Sequence, residues 1–258
     1  MSAPDVLRLA EELASARLEL AQMQRELAQV RAGQEDLLYA VVHDLRAPLR
    51  HVISFVEVVR EDLHASKAVL DPQIYSSLDR VSEAARHQGR LIDALLELSR
   101  IGRAPLQLSA VALGPLVAGV LAPLRSAVHE RQVRWEIADG LPTLCSDPAL
   151  LCAVLQQLFD NALKFTAPRQ MALIKLRAQV DPDGGCELQV SDNGVGFDAR
   201  PEHKLFQPFS RMHSATEFAG LGMGLVRCRA MLQRLGASIE LQARPDHGCT
   251  VSVRLPRL

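Results

Sequence analysis

Five cysteines (Cys145, Cys152, Cys186, Cys228 and Cys249) are all that 258 residues contain, and no two form a CxxC pair. An odd, scattered set of this kind excludes a disulfide framework and a zinc site, and it fits a reducing, cytoplasmic setting. Charge of one sign is equally scarce: 29 basic against 30 acidic residues leave a net charge of −1. No whole-molecule field exists to hold nucleic acid or anionic lipid, so no nucleic-acid partner is expected. The first residues, MSAPDVLRLAEELASARLEL, meet charge too early and too often for a signal peptide. A long apolar run is missing too. The one uncharged stretch worth testing as a membrane span, APLQLSAVALGPLVAGVLAPL from Ala104 to Leu124, is broken by Pro105, Pro115 and Pro123. It reads instead as a short strand, a turn at Gly114 and a helix with Pro115 in its first turn.

What the chain does have is apolar patterning, 48% of its residues, enough to bury one or two cores. From Leu9 the apolar positions Leu13, Ala16, Leu20, Met23, Leu27 and Val30 follow in steps of four and three, the heptad seam of a coiled coil over residues 1–35. Near Leu38 the phase slips by one, and a second seam runs Leu38, Val42, Leu45, Leu49, Val52, Val56, Val59, Leu63. After a break at HASKAVLDP, a third runs Ile74, Leu78, Val81, Ala85, Gln88, Ile92, Leu95. Two helices joined by a short loop make a hairpin over residues 36–103. Its apolar stripe is too wide for one partner helix, and pairing two hairpins into a four-helix bundle solves this, so a homodimer is expected.

Beyond Gly102 the texture changes to short β-rich runs alternating with helical ones, a second domain over residues 104–258, and the fold class is α+β. Strands are expected near 107–111, 132–137, 171–180, 186–192, 237–243 and 249–255, and helices near 115–130, 148–165 and 223–235. Asp147 before Pro148 is a helix start. The DPDGG run at 181–185 is a hairpin turn. Residues 198–219 fit neither period and sit between glycine clusters, which suggests a mobile lid.

Candidate chemistry begins at His43, which lies off both seams and so stands exposed, with Asp44 beside it. Pro48, inside the helical pattern, removes a backbone hydrogen bond and is expected to bend the helix there. The segment HDLRAPLR on the first helix of a dimerising hairpin resembles the phosphoacceptor box of sensor histidine kinases. Over residues 36 to 258 the rest of the chain resembles that family in order: LQQLFDNALKFT its asparagine box, SDNGVGFD its first glycine box, KLFQPFSRMH its phenylalanine box and GLGMGL its second glycine box. The RMHSATEFAG stretch is most similar to kinases of the phytochrome and hybrid type.

The resemblance implies an ATP-dependent kinase that phosphorylates itself on His43, with Asp44 fixing the histidine tautomer, and then passes the phosphoryl group to an aspartate of a response-regulator receiver domain. It implies a sandwich of the Bergerat type that binds ATP and Mg²⁺. Asn161 offers a hard amide oxygen suited to Mg²⁺, and Lys164 a point charge for the phosphates. Asp192, followed by Gly194 and Gly196, presents a carboxylate that can accept a hydrogen bond from an exocyclic amine, by resemblance the adenine's. Gly220, Gly222 and Gly224 open a helix whose backbone N–H groups can approach a polyphosphate. Phe206 and Phe209 are expected to anchor the lid. Three residues depart from the family's pattern: Gln157 where a second Asn is common, Leu221 where Thr is usual, and Ala47 where many members carry Thr or Asn. Gln157 and Leu221 support a rival reading, a degenerate kinase kept as a dimeric scaffold. A third, an ATPase of the same superfamily without histidine phosphorylation, is opposed by the phosphoacceptor box. Residues 1–35 are too few and too regular for a sensor domain, so the expectation is either input through the coiled coil from a partner or a chain that is a piece of something longer.

Overall fold

The heptad stripes of the N-terminal part fold as two helices, α1 (Ala3–Ala65) and α2 (Pro72–Ile101). The computed structural model describes residues 3–66, 71–102, 105–128, 131–198, 200, 202–214 and 216–257, without the side chains of 3–12, 24, 27, 28, 31, 34–39, 202 and 203. The phase slip near Leu38, and Leu9 and Leu27 of the first seam, lie outside the described side chains. Two units emerge, residues 1–99 and 100–258, and the division falls in the last turn of α2.

In the first unit α1 continues on both sides of Pro48, so the proline does not interrupt the helix. One N–H is lost there, while the apolar contacts of the turns on either side remain. α2 starts where Asp71 caps it, its carboxylate accepting the N–H of Gln73 at 2.9 Å, with Pro72 in the first turn. The seams split into two rows. Val42, Leu49, Ile92, Leu95 and Leu96 pack together inside the hairpin, Val42 being 1% exposed. Leu45, Val52 and Val59 of the same α1 seam, and Ile74 and Val81 of α2, stay exposed in the single chain. Arg46–Asp93, Arg60–Asp79 and Arg86–Glu57 pair across the hairpin. As exposed ion pairs each adds at most about 1 kcal/mol, so the apolar row does more of the holding.

In the second unit the strands are β1 (Ser109–Ala112), β2 (Val133–Ile137), β3 (Thr143–Ser146), β4 (Ala172–Val180), β5 (Cys186–Asp192), β6 (Ser238–Arg244) and β7 (Gly248–Leu255). The helices are α3 (Leu113–Ala127), α4 (Pro148–Phe165) and α5 (Gly224–Arg234), with a short 3₁₀ turn at Glu202–Phe206. Five strands form one sheet in the order β2-β4-β5-β7-β6, β2 parallel to β4 and the others antiparallel. β1 and β3 pair as a separate antiparallel ribbon. The β3 strand was not expected from the sequence: four residues between two prolines show too little alternation to be read. A turn at Gly114 is also absent, because α3 starts at Leu113 and takes Gly114 into its first turn.

Alternate residues of the central strands, Ile174 and Leu176, Leu188 and Val190, Val251 and Val253, face one core with Leu155, Phe159 and Leu232 of the helices. Phe159 is fully buried and meets Trp135 edge to face at 5.8 Å between ring centroids. The DPDGG turn closes as expected, with Gly184 N–H donating to Asp181 O and Asp181 N–H to Gly185 O, both at 2.9 Å. This layer of helices on one sheet face brings the C-terminal half of α4, the end of β5, the start of α5 and residues 209, 210 and 219 into one neighbourhood.

Candidate functional site

On α1, the imidazole of His43 and the carboxylate of Asp44 are 74% and 81% exposed, with Nδ1 3.2 Å from Oδ1. Their place off the packing rows explains the exposure. A carboxylate only accepts, so in this pair Nδ1 carries the ring proton and the lone pair is left on Nε2. Ala47, one turn on, is half-buried.

The second group of residues hangs from α4. Asp147 fixes where that helix begins, its Oδ1 accepting from Ala149 N–H at 3.0 Å and Leu150 N–H at 3.1 Å, and its Oδ2 accepting from Gln107 N–H at 2.8 Å. These donors hold its carboxyl below the usual range, Gln107 first. Leu151, Leu155, Leu158 and Phe159 bury the core face, which leaves Gln157, Asn161 and Lys164 on one stripe at helical spacing. Gln157 Nε2 donates to Asn161 Oδ1 at 3.3 Å, and Gln157 Oε1 accepts from Arg227 Nη2 of α5 at 2.7 Å. Lys164 Nζ donates to the carbonyl of Ala219 at 3.2 Å and lies 4.3 Å over the Phe165 ring. Burial, and then the neighbouring Arg211 cation, push its pKa down. Lys164 lies beside Gly220, where a β-carbon would sit 3.3 Å from its Nζ.

At the end of β5, Asp192 Oδ1 accepts the N–H of Gly194 at 2.7 Å. Burial raises this carboxyl to about 6, against the opposing pull of backbone donors at Gly194 and Cys249. The loop is pinned from outside by Arg169, which donates to the carbonyls of Asn193 at 2.9 Å, Gly194 at 3.0 Å and Asp246 at 2.8 Å. Gly196 turns there at φ +59, and a β-carbon would fall 1.9 Å from Arg244 O, so this glycine serves a close backbone crossing. Gly194 is crowded in the same way by the Phe165 carbonyl, at 2.7 Å.

In the second glycine cluster each glycine also answers a packing demand. Gly222, at φ +71, is packed against the Ser210 carbonyl, 2.4 Å from where a β-carbon would be, so it seats the 198–219 segment. Gly224 opens α5 against the Gln157 carboxamide, 2.9 Å from its own would-be β-carbon. Of the two expected aromatic anchors, Phe206 is half-buried under the Arg229 guanidinium at 5.3 Å. Phe209 is not an anchor: its ring is exposed and its backbone takes a left-handed turn, φ +63. The ring cluster is built instead by Phe165, Phe197, Phe218 and His213, with centroids 5.1 to 6.2 Å apart. Arg211 folds this segment by donating to the Ser214 carbonyl at 2.8 Å and to that of Phe218.

Thus Asn161, Lys164, Asp192 and the five glycines all belong to the 100–258 unit, while His43 and Asp44 belong to the other. Sequence reasoning missed Arg169, Arg211, His213 and Arg227. The one available signal was Arg227, a basic residue three positions after the last glycine of GLGMGL.

Two family models match the chain. The one described as His Kinase A (phospho-acceptor) domain covers residues 33–104. The other, described as histidine kinase-, DNA gyrase B- and HSP90-like ATPase, covers residues 146–258. The phytochrome-like protein Cph1 of Synechocystis sp. is 28% identical over 251 residues, 97% of this chain and 32% of that protein. The methanogenesis regulatory histidine kinase FilI of Methanothrix harundinacea is 28% identical over 246 residues, 95% of this chain and 27% of that protein. The chain spans about a third or less of the length of these relatives. Among solved structures, full-length ShkA in complex with AMPPNP shares the fold, with a TM-score of 0.58 at 22% identity over 86% of this chain and 45% of that one. Among the described residues no helix is long and apolar enough to cross a membrane.

Proposed function

Because the chain belongs to the sensor histidine kinases, with their phosphoacceptor and ATPase modules in that order, we propose that it transfers the γ-phosphoryl group of ATP to His43 and from there to an aspartate of a response-regulator receiver domain. The observation that carries this reading is the exposed His43–Asp44 pair inside the phosphoacceptor module. Asp44 accepts the Nδ1 proton and so presents the Nε2 lone pair outward. Nε2 bonds to the γ-phosphorus as the bond from phosphorus to the ADP oxygen breaks, and ADP leaves with the electron pair. Asp44 meanwhile supports the imidazolium and receives its proton. Little covalent help is needed, so positioning and charge neutralisation supply most of the rate.

In the other unit Asp192 accepts from the adenine amine, and Lys164 with the Gly220 backbone faces the phosphates. Lys164 exchanges its bond to Ala219 O for a phosphate oxygen. Magnesium fits the chemistry of Asn161: an amide oxygen such as Asn161 Oδ1 suits an ion that keeps several waters and shares phosphate oxygens. Bound there, the ion would neutralise charge that develops on the transferring group.

The exposed row Leu45, Val52, Val59, Ile74 and Val81 supports a homodimer through a four-helix bundle, since a second hairpin buries what one leaves bare. Gln157, the departure that would favour a scaffold, is held on Asn161 rather than away from it, which supports the kinase. The test is incubation with γ-labelled ATP: label should be stable in alkali, lost in acid and absent from His43→Ala. Label that persists in His43→Ala overturns the assignment.

A further inference from the structure

Asn161 presents a carboxamide, and a carboxamide has two faces of nearly the same shape, one an acceptor and one a donor. A ligand position for a cation needs the oxygen. Nothing in the Asn161 side chain itself chooses, so the choice has to come from its neighbours. Its neighbour on the helix stripe, Gln157, is a second carboxamide with the same ambiguity.

The ambiguity ends at Arg227. A guanidinium carries donors and no acceptor, and at 2.7 Å from Gln157 it can be met only by Oε1. With Oε1 turned to α5, Nε2 is the face left for Asn161, and Nε2 can be met only by Oδ1, here at 3.3 Å. Two otherwise reversible amides are thus set in series by one cation, and the charge of Arg227 also polarises Gln157 toward stronger donation. The fit of Gly224 completes the arrangement. A β-carbon there would lie 2.9 Å from the Gln157 Cδ and Nε2 atoms, so the longer amide occupies the space that the glycine leaves.

We propose that Arg227 is a positioning residue that acts through Gln157 to hold the Asn161 oxygen in its ligating orientation. The proposal rests on the reading of Asn161 as a ligand of the Mg²⁺–ATP complex. It gives Gln157 a role other than ligand: the amide orients Asn161 and does not replace it.

The test measures affinity for an ATP analogue in excess Mg²⁺ and in EDTA, on the full chain, with thermal unfolding recorded for every variant. Asn161→Ala should lose most of the Mg²⁺-dependent gain in affinity. Arg227→Met and Gln157→Met, which keep length and lose the polar chain, should each cut that gain about tenfold, the worth of one well-placed hydrogen bond, while affinity in EDTA stays within about twofold. Arg227→Lys, still a donor-only cation, should recover most of it. The double variant Arg227→Met/Gln157→Met should be no worse than either alone, because the two act in series. A structural role alone would lower affinity equally with and without Mg²⁺, and that result overturns the inference. So does an unchanged Mg²⁺ gain in Arg227→Met and Gln157→Met while Asn161→Ala loses it, which leaves the Asn161 reading intact. No effect in Asn161→Ala overturns that reading and the positioning role with it.

Discussion

Replacing Asp192 by Asn should strengthen the fold and weaken the nucleotide site at the same time. In the folded protein the carboxyl is raised from 3.8 to about 6, chiefly because burial penalises its charge. A shift of about two units corresponds to about 3 kcal/mol held against the ionised form at neutral pH. A group raised on folding contributes stability that is complete below its unfolded value, near pH 4, and is lost as pH rises through about 6. Asp192→Asn removes that loss, so without nucleotide it should stabilise the protein by up to about 3 kcal/mol at pH 7.5 and hardly at all at pH 4. Binding runs the other way. The adenine amine needs an acceptor, the ionised carboxylate is the better one, and below pH 6 affinity should fall by up to about tenfold per unit as a proton has to leave first. Denaturant titration without nucleotide and fluorescence titration with an ATP analogue, both from pH 5 to 8, read the two effects separately. The phosphates of the nucleotide titrate in this range too, but equally for both proteins, so the affinity ratio of native protein to variant isolates Asp192. That ratio should grow about tenfold between pH 5 and 7.5. A ratio that stays constant would refute the placement of the adenine amine at this carboxylate.

Asp147→Ala removes the cap of α4 and the partner of the Gln107 N–H together, and should lower the denaturant midpoint by the equivalent of about 1–2 kcal/mol at pH 7. Because Asp147 is held below the usual carboxylate range, the stability it confers is present above its unfolded value and lost as pH falls, so the penalty should shrink in acid. At Ala47, half-buried one turn after His43, a methyl group offers no hydrogen bond where the resemblance implies Thr or Asn. With ADP, the unphosphorylated protein should barely speed the decay of a phosphorylated regulator. Ala47→Thr should speed it measurably, and a large acceleration by the unmutated protein would show that another group positions the attacking water.

The helices were legible because their signals are local and repeated. Asp147–Pro148 marks the start of α4 at the residue where the structure begins it, and the seams of α1 and α2 carry the same message at every second turn. β3 was not legible because a four-residue strand is defined by its partner β1, whose paired residues lie 31 to 37 positions away, from Ala112–Thr143 to Ser109–Ser146, beyond the reach of any local pattern. Pro48 reads locally as a bend within a continuing helix, and α1 does continue through it, since one absent N–H is outweighed by the apolar rows packed before and after it.

The site divides along the same physical line. Juxtapositions of residues near in sequence, His43 with Asp44 or Asp192 with Gly194, could be read directly, because the backbone itself sets their geometry. Roles shared between elements could not. Phe209 looks like an anchor beside Phe206, but the backbone turns left-handed there and exposes its ring, and the contact falls to Phe197 and Phe218, one residue before and eight residues after the segment from Asp198 to Ser210. The packing demands on the glycines of GLGMGL were not legible either: Gly222 makes room for the Ser210 carbonyl and Gly224 for Gln157. Gln157 is the sharpest case. Against the family's pattern it reads as a loss, one Asn fewer for the metal. In the fold its longer side chain meets the guanidinium of Arg227, seventy residues on, and turns its Nε2 to Asn161 Oδ1, so the residue that reads as a missing ligand is the one the proposed support of Asn161 runs through.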